Sequence, residues 1–286
     1  MNIVYLNGGF LPIEQATISV LDRGFLLGDG IYEVIPVYDS KFLGLDGHLE
    51  RLQHSLDSIK LPLQVKQTEL KNIFLKLLEK NQAMQGAYSI YLQITRGPAP
   101  ERTHAFPKIT QPTLFATLKP ISPLSYDNLK TGRAAITHED IRWKYCHIKS
   151  ISLLPTVLMM QKAHEANAEE AILIRDGYAL EGTSSNVFIV QGNVIYTPPL
   201  SEENLSGVTR SAILKLAKQN NIPLIERKIK AIELFAADEV WISSSTRGIF
   251  PIIKLDNKII SDGKPGKIWD QMIHLYLKLD PALLHE

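Results

Sequence analysis

The stretch Glu181-Gly182-Thr183-Ser184-Ser185-Asn186 runs directly into Val187-Phe188-Ile189-Val190. An acid stands at the mouth of a hydroxyl-rich turn, and the turn feeds an apolar strand. Small hydroxyl residues and a glycine let backbone approach a bound group closely. As an ordinary hairpin residue after Asp176-Gly177, Glu181 would face water; beside this turn that reading weakens.

The rest of the chain organises around such runs. Ile3 to Leu6 and Phe10 to Ile13 flank Asn7-Gly8, a pair that supplies the positive φ angles of a tight hairpin. Ile31 to Tyr38 reads as a strand, with Ile31, Ile35 and Val37 on one face and Tyr32 and Val34 on the other. Pro36 cannot donate to a ladder, so this strand is at an edge or bulged there. Asp39-Ser40 turns it into Lys41 to Leu45. Leu49, Leu52, Leu56 and Ile59 form one helical stripe. A second helix starts after Thr68 as N-cap and buries Leu70, Ile73, Phe74, Leu77 and Leu78. Ala87 to Thr95 and Thr113 to Leu118 are strands, with a loop from Arg96 to Pro107 between them. Lys119-Pro120-Ile121-Ser122-Pro123 is the expected linker, which divides the chain into domains at 1–120 and 121–286. Beyond it come the strands Ala171 to Ile174, Val187 to Val190, Val194 to Thr197 and Glu239 to Ile242. Turns fall at Asp176-Gly177 and Gln191-Gly192-Asn193. Helices are expected over Leu153 to Ala166, Thr209 to Asn220 and Lys267 to Leu279, with Pro155 in the first turn of the first of these. The class is α+β.

Composition narrows the function. With 286 residues, 45% hydrophobic and 21% charged, the chain has material for real cores. A formal net charge of +1 lacks the basic footprint of a nucleic-acid binder. One cysteine, Cys146, excludes an internal disulfide framework and points to a reducing compartment. The N-terminus does not read as a signal peptide, and no apolar run is long enough to span a bilayer. The expectation is a cytoplasmic protein with no membrane and no nucleic-acid partner. G-x-S-x-G, Walker, C-x-x-C and metal-spaced histidine patterns are all missing, so no metal is expected.

Several residues carry chemistry in this pattern. Lys149 alone would be a surface lysine. It is followed by Ser150-Ile151-Ser152-Leu153-Leu154, an apolar-leaning run that draws its stem inward, and desolvation favours a neutral amine. Gly207-Val208-Thr209-Arg210 opens a helix whose unpaired N–H groups and dipole favour an anion, although ordinary helix starts look alike. Ser243-Ser244-Ser245-Thr246 ends a strand and could close round the same anion. Arg51 lies off the Leu49/Leu52/Leu56 stripe. It is a surface arginine, or a phosphate ligand if its helix faces a cleft. Arg102 and His104, two apart in an extended loop, project alike and suit a carboxylate; in a mobile loop they are incidental charges.

Ordered motifs run along nearly the whole chain: Asp22-Arg23-Gly24-Phe25 with Gly28-Asp29-Gly30, His48-Leu49-Glu50-Arg51-Leu52, Asp140-Ile141-Arg142 with Ile148-Lys149-Ser150, the Glu181 to Asn186 turn, Gly207 to Arg210, and Ser244-Ser245-Thr246. With them the chain resembles the fold-type IV pyridoxal-phosphate enzymes, which include D-amino acid aminotransferases, branched-chain aminotransferases and aminodeoxychorismate lyases. The resemblance implies a smaller N-terminal α/β domain and a larger C-terminal domain with a β-barrel-like core. It implies Lys149 as the Schiff-base lysine and Glu181 as partner of the pyridine nitrogen. Arg51, Val208, Thr209 and Ser245 would hold the phosphate with Ser244, Ser185 and Asn186 alongside, and Leu205 would pack against the ring. It further implies a homodimer acting on amino acid and 2-oxo acid substrates. Within the group the chain is most similar to the D-specific transaminases, whose carboxylate trap corresponds to Tyr32, Arg102 and His104, the last two reaching over from the second subunit. A pyruvate-releasing lyase and a branched-chain L-transaminase are the alternatives. Apart from any resemblance, an amine, an acid and hydroxyls at a helix mouth are the parts such a cofactor requires.

Overall fold

The structure is a computed structural model that describes residues 2–109 and 111–279. It divides into two compact units, one of residues 2–123 with 148–152 and one of residues 124–147 with 153–279.

The first unit is built on a six-stranded antiparallel sheet. Its strands are β1 (Ile3–Leu6), β2 (Gly9–Pro12), β3 (Gly30–Tyr38), β4 (Lys41–Phe42), β5 (Ala87–Thr95) and β6 (Thr113–Pro120), in the order β2-β1-β6-β5-β3-β4. Asn7 at φ 47° and Gly8 at φ 98° make the expected hairpin between β1 and β2. Pro36 finds the edge position it needs. It faces Ser89 of β5 on one side, while on the other β4 reaches only Val37 and Tyr38. Nearer the start of β3, the segment around Lys149 takes that open edge: Tyr32 N–H donates to the Lys149 carbonyl at 3.0 Å and Ile151 N–H to the Gly30 carbonyl at 3.1 Å. Lys149 is thereby held beside an isolated bridge between Ile31 and Ser150 rather than on a free loop.

The helices are α1 (Arg23–Leu27), α2 (Leu45–Ser58) and α3 (Gln67–Lys80). The stripes Leu49/Leu52/Leu56 and Leu70/Phe74/Leu77/Leu78 form one core with Ile31, Ile35, Ile90, Leu92 and Ile94 of the sheet. Two local expectations need correcting. The N-cap of α3 is Lys66, and Thr68 sits inside the first turn, because the helix starts earlier than the hydroxyl suggests. The expected linker begins inside β6, where Pro120 still faces Tyr88; a proline is tolerated at the last position of a strand.

The second unit is a larger sheet. Its strands are β7 (Arg133–Glu139), β8 (Glu170–Arg175), β9 (Tyr178–Gly182), β10 (Asn186–Gln191), β11 (Val194–Thr197), β12 (Leu224–Glu226), β13 (Ile229–Lys230), β14 (Glu239–Ser244), β15 (Gly248–Leu255) and β16 (Lys258–Ile259). The order is β12-β11-β10-β14-β15-β7-β8-β9-β13, with β16 on β15. β9 and β10 lie five places apart in this ladder, yet a three-residue turn joins their ends, with Gly182 N–H donating to the Ser185 carbonyl at 2.7 Å. The sheet must therefore curl on itself, which gives the half-barrel core. The Glu181 to Asn186 turn sits where the curl brings the two strands together.

Helices α4 (Tyr126–Leu129), α5 (Leu154–Glu165), α6 (Val208–Gln219), α7 (Glu233–Ala236) and α8 (Lys267–Leu277) complete this unit. Val187, Phe188, Ile189 and Val190 are all buried, as a strand covered on both faces should be. Met159 and Ala163 of α5 pack on Ala171 and Leu173 of β8. Strands β7 and β15 are absent from the sequence reading. β7 is half-exposed and does not alternate. β15 holds Pro251, accommodated beside a register shift between Ile252 and Lys254 where the strand pairs with β7. Among the described residues no helix is long and apolar enough to cross a membrane.

Candidate active site

In the first unit, Lys149 and Tyr32 are brought together. The Lys149 Nζ lies 4.4 Å from the Tyr32 ring centroid, and the Lys149 N–H donates to Ser55 Oγ of α2 at 3.2 Å. The Tyr32 ring stacks on Tyr91 at 5.7 Å, and burial first, then the neighbouring Tyr32, pushes the Tyr91 hydroxyl up to about 12.

Beside them is a buried charge cluster that sequence reasoning missed. Glu33 shares the inward face of β3 with Ile31, Ile35 and Val37 and is fully buried. Its carboxylate accepts from Arg51 Nε at 2.8 Å, from Arg51 Nη2 at 2.7 Å and from His48 at 2.7 Å. Arg51 is thus no surface residue; its guanidinium is clamped in one orientation by a two-point carboxylate contact. Burial pushes the Glu33 carboxyl up, but Arg51 and His48 outweigh it and hold the group down at about 2. Burial likewise holds His48 below its ordinary value, so at neutral pH its Nδ1–H donates to Glu33 and its Nε2 keeps a lone pair; Nε2 is buried with no partner among the described residues.

In the second unit Glu181 is a buried acid with both oxygens engaged. Glu181, near the end of β9, is 3% exposed. One oxygen accepts from Arg142 Nη1 at 2.6 Å and the other from Leu205 N–H at 2.9 Å. Burial pushes its carboxyl above the usual range, against the pull of Arg142 and the Leu205 N–H. Arg142 is itself gripped by Asp140 through Nε and Nη2, both at 2.9 Å, so its aim at Glu181 is fixed.

The hydroxyl turn has an unforeseen organiser. Glu170, fully buried at the start of β8, accepts from Thr183 N–H, the Thr183 hydroxyl, Ser184 Oγ at 3.1 Å, Ser185 Oγ at 3.0 Å and Arg247 Nη2 at 2.8 Å. The Ser185 hydroxyl is therefore spent on Glu170. Asn186 donates through Nδ2 to the Leu205 carbonyl at 2.9 Å and so fastens the loop leading into α6. Arg247 bridges the two hydroxyl loops, donating to Ser184 Oγ at 2.8 Å and to Ser244 Oγ at 3.3 Å. Ser244 and Ser245 are half-buried, while Ser243 Oγ is buried and has no partner among the described residues.

Helix α6 begins at Val208 with Gly207 as an N-cap that offers no side chain, so its first-turn N–H groups are left for another acceptor. The Thr209 hydroxyl is buried against Tyr276, whose own hydroxyl burial pushes up to about 12. A Cβ on Gly207 would come within 1.9 Å of Asn186 Oδ1. Gly207→Ala is therefore expected to dislodge Asn186 from Leu205 at a cost of about 1–3 kcal/mol, read as a lowered Tm in thermal denaturation. Arg102 and His104 lie on an exposed loop of the first unit.

The known proteins similar to this chain agree with one another. The family model for amino-transferase class IV matches residues 30–255. This chain is a class IV aminotransferase. The D-alanine aminotransferase of Bacillus licheniformis is 40% identical over 265 residues, covering 93% of this chain and 92% of that protein. That of Staphylococcus aureus strain N315 is 42% identical over 273 residues, 95% of each. Among solved structures, the branched-chain amino acid aminotransferase of Escherichia coli superposes with a TM-score of 0.90 at 24% identity, covering 97% of this chain and 94% of that one. The two-unit α+β architecture with its curled sheet is thus the class IV aminotransferase fold.

The residues of this class IV aminotransferase fit a pyridoxal phosphate. They offer an amine at Lys149 and a buried acid held by an arginine at Glu181. They also offer an uncapped helix mouth at α6 and, at Ser243, a buried hydroxyl with no partner among the described residues.

Proposed function

We propose that this protein transfers the amino group of D-amino acids of the D-alanine type to a 2-oxo acid such as 2-oxoglutarate, on pyridoxal 5'-phosphate. The observation that carries the chemistry is Glu181: a carboxyl buried to 3% exposure and aimed by Arg142 and the Leu205 N–H suits a protonated ring nitrogen. The D-preference is supported by the D-alanine aminotransferases that match over nine-tenths of the chain, and by the resemblance that sets Tyr32, Arg102 and His104 at the positions of a carboxylate trap.

When bound, the cofactor supplies an aldehyde that captures the amino group and a cationic ring that withdraws electrons from the substrate Cα. Lys149 Nζ would hold the aldehyde at rest and, once released, would be the base that moves the substrate Cα proton. A positioned base of this kind contributes roughly 10²–10⁴-fold. Glu181 would keep the ring nitrogen protonated, and Arg142 keeps Glu181 in place. Arg51, the Val208 and Thr209 N–H groups, Ser244 and Ser245 would hold the phosphate, and Leu205 would pack on the ring. Ser185 and Asn186 act from behind, through Glu170 and Leu205. The working form is a cytoplasmic homodimer that takes small molecules and neither nucleic acid nor membrane as partner.

A screen of D- and L-alanine, D- and L-glutamate and L-leucine, with and without 2-oxoglutarate, tests the reading. D-alanine should yield pyruvate beyond one equivalent per cofactor only when the acceptor is present. Preference for L-leucine would make the protein a branched-chain transaminase. Pyruvate released from aminodeoxychorismate without acceptor would make it a lyase.

A further inference from the structure

Two motifs of the first unit, Asp22-Arg23-Gly24-Phe25 and Gly28-Asp29-Gly30, have no part in the chemistry above, yet they build one of the most buried charge clusters in that unit. Asp22 caps α1 through the Gly24 N–H at 2.8 Å, and Gly28, at φ 67°, closes the helix in the left-handed region. A helix this short brings Arg23 back beside Asp29: Arg23 Nε donates to Asp29 Oδ2 at 2.8 Å. A second arginine, Arg96 at the end of β5, donates its Nε to the same oxygen, also at 2.8 Å. The side chains of Arg23 and Arg96 are 4% and 1% exposed.

One carboxylate cannot neutralise two guanidiniums. Burial pushes the Asp29 carboxyl up, and the hydrogen bonds and charges of Arg96 and Arg23 outweigh it and hold the group ionised below the usual range. The buried Asp22 carboxyl is turned to the Gly24 N–H and the Thr95 and Thr113 hydroxyls, so the knot needs oriented dipoles for the guanidinium donors that Asp29 leaves over. It finds them in backbone carbonyls. Arg96 Nη2 donates to the Ile59 carbonyl at 2.7 Å, at the C-terminal end of α2, where the helix dipole favours a cation. Arg23 Nη1 donates to the Thr103 carbonyl at 2.7 Å, and Nη2 reaches the His104 carbonyl at 3.4 Å. The Arg96 guanidinium also lies 3.8 Å from the Phe106 ring centroid.

Residues 101–106 are otherwise all exposed. The loop that carries Arg102 and His104 is thus held at 103, 104 and 106 by two buried cations. We propose that Arg23, Asp29 and Arg96 are positioning residues for the substrate-carboxylate trap, fixing the backbone from which Arg102 and His104 project. This rests on the transaminase reading and its trap. The knot removes the loop's freedom before substrate arrives. Preorganisation of this kind moves affinity, since ordering the loop then costs nothing at binding.

The test is a double-mutant cycle in the cofactor-loaded enzyme. Arg23→Lys keeps the charge and loses the two-carbonyl fork. Phe106→Ala removes the exposed ring from Arg96 and leaves the fold untouched. Each is made in the wild type and in Arg102→Ala/His104→Ala. The expected result for Arg23→Lys is a rise of roughly tenfold in KM for D-alanine and for pyruvate, with kcat and the near-ultraviolet/visible cofactor spectrum unchanged. Phe106→Ala should raise both KM values about threefold. In the Arg102→Ala/His104→Ala background both effects should vanish, because nothing is left to position. Persistence of either effect there overturns the inference. So does an unchanged KM in Arg23→Lys while Arg102→Ala/His104→Ala raises it. If Arg102→Ala/His104→Ala itself leaves KM unchanged, the trap falls and the inference with it. Should Arg23→Lys fail to fold, Phe106→Ala decides the outcome alone.

Discussion

Lys149→Ala is expected to abolish transamination and the yellow colour of the cofactor-loaded protein together. Rate should fall by at least the roughly 10²–10⁴-fold that a positioned base contributes, and further because the covalent hold on the aldehyde goes with it. The fold should survive. The backbone carbonyl and N–H of Lys149 make the contacts to Tyr32 and Ser55, and an alanine keeps both. What the substitution removes is the amine over the Tyr32 ring. Absorbance, turnover and Tm should be measured on the same preparation: loss of the first two with an unchanged third is the expected pattern. Borohydride treatment of the wild type should fix the cofactor on the peptide carrying Lys149. A label on another peptide, or a mutant that keeps colour or turnover, would remove Lys149 from the chemistry.

Much of this is legible because local motifs carry it. Glu181 stands beside its turn, Lys149 in an apolar-leaning segment, and Gly207 at a helix mouth, all within a few residues of what identifies them. The residues that are not legible owe their roles to partners far along the chain. Glu33 lies inside an apolar-leaning run, and a strict two-residue period from Ile31 would place it inward. Nothing nearby shows why a carboxylate should go there, because its partners Arg51 and His48 come from α2. Arg51 reads as a surface residue for the same reason: it lies off the leucine stripe, and the two-point contact with Glu33 that makes its burial tolerable comes from another element. Glu170 is the clearest case. It precedes the run Ala171 to Ile174 and looks like a polar strand end, yet donors from the turn 183–185 and from Arg247 converge on it. The curl of the sheet makes that convergence, and ladder order across β14, β15, β7 and β8 is not written in any local pattern.

Acid should unfold the protein, with Glu33 as a principal cause. Its folded-state carboxyl sits near 2 and its unfolded value near 4.5. A depressed carboxyl contributes stability that is fully present above the unfolded value and is lost as pH falls through the folded one. A shift of this size corresponds to something on the order of 3 kcal/mol. His48, held below its ordinary 6.5 by burial, acts in the same direction: the unfolded chain takes up its proton first, so stability begins to fall once pH drops below that value. Glu181 opposes both. Its raised carboxyl is costly to ionise in the fold, and that cost disappears as acid protonates it. The wild-type Tm should therefore start to decline below about pH 6.5 and fall most steeply between 4.5 and 2. Glu33→Gln removes the titration and sets a neutral amide against the buried Arg51 guanidinium in place of a carboxylate, which costs up to about 3–5 kcal/mol at neutral pH. The variant should be markedly less stable than wild type at pH 7 and should lose much less on going from pH 5 to pH 3. Thermal denaturation at constant ionic strength across that range reads both effects at once. A Glu33→Gln protein with wild-type Tm at pH 7, or with the wild-type slope in acid, would show that the Glu33–Arg51 pair does not bear the load that its geometry assigns to it.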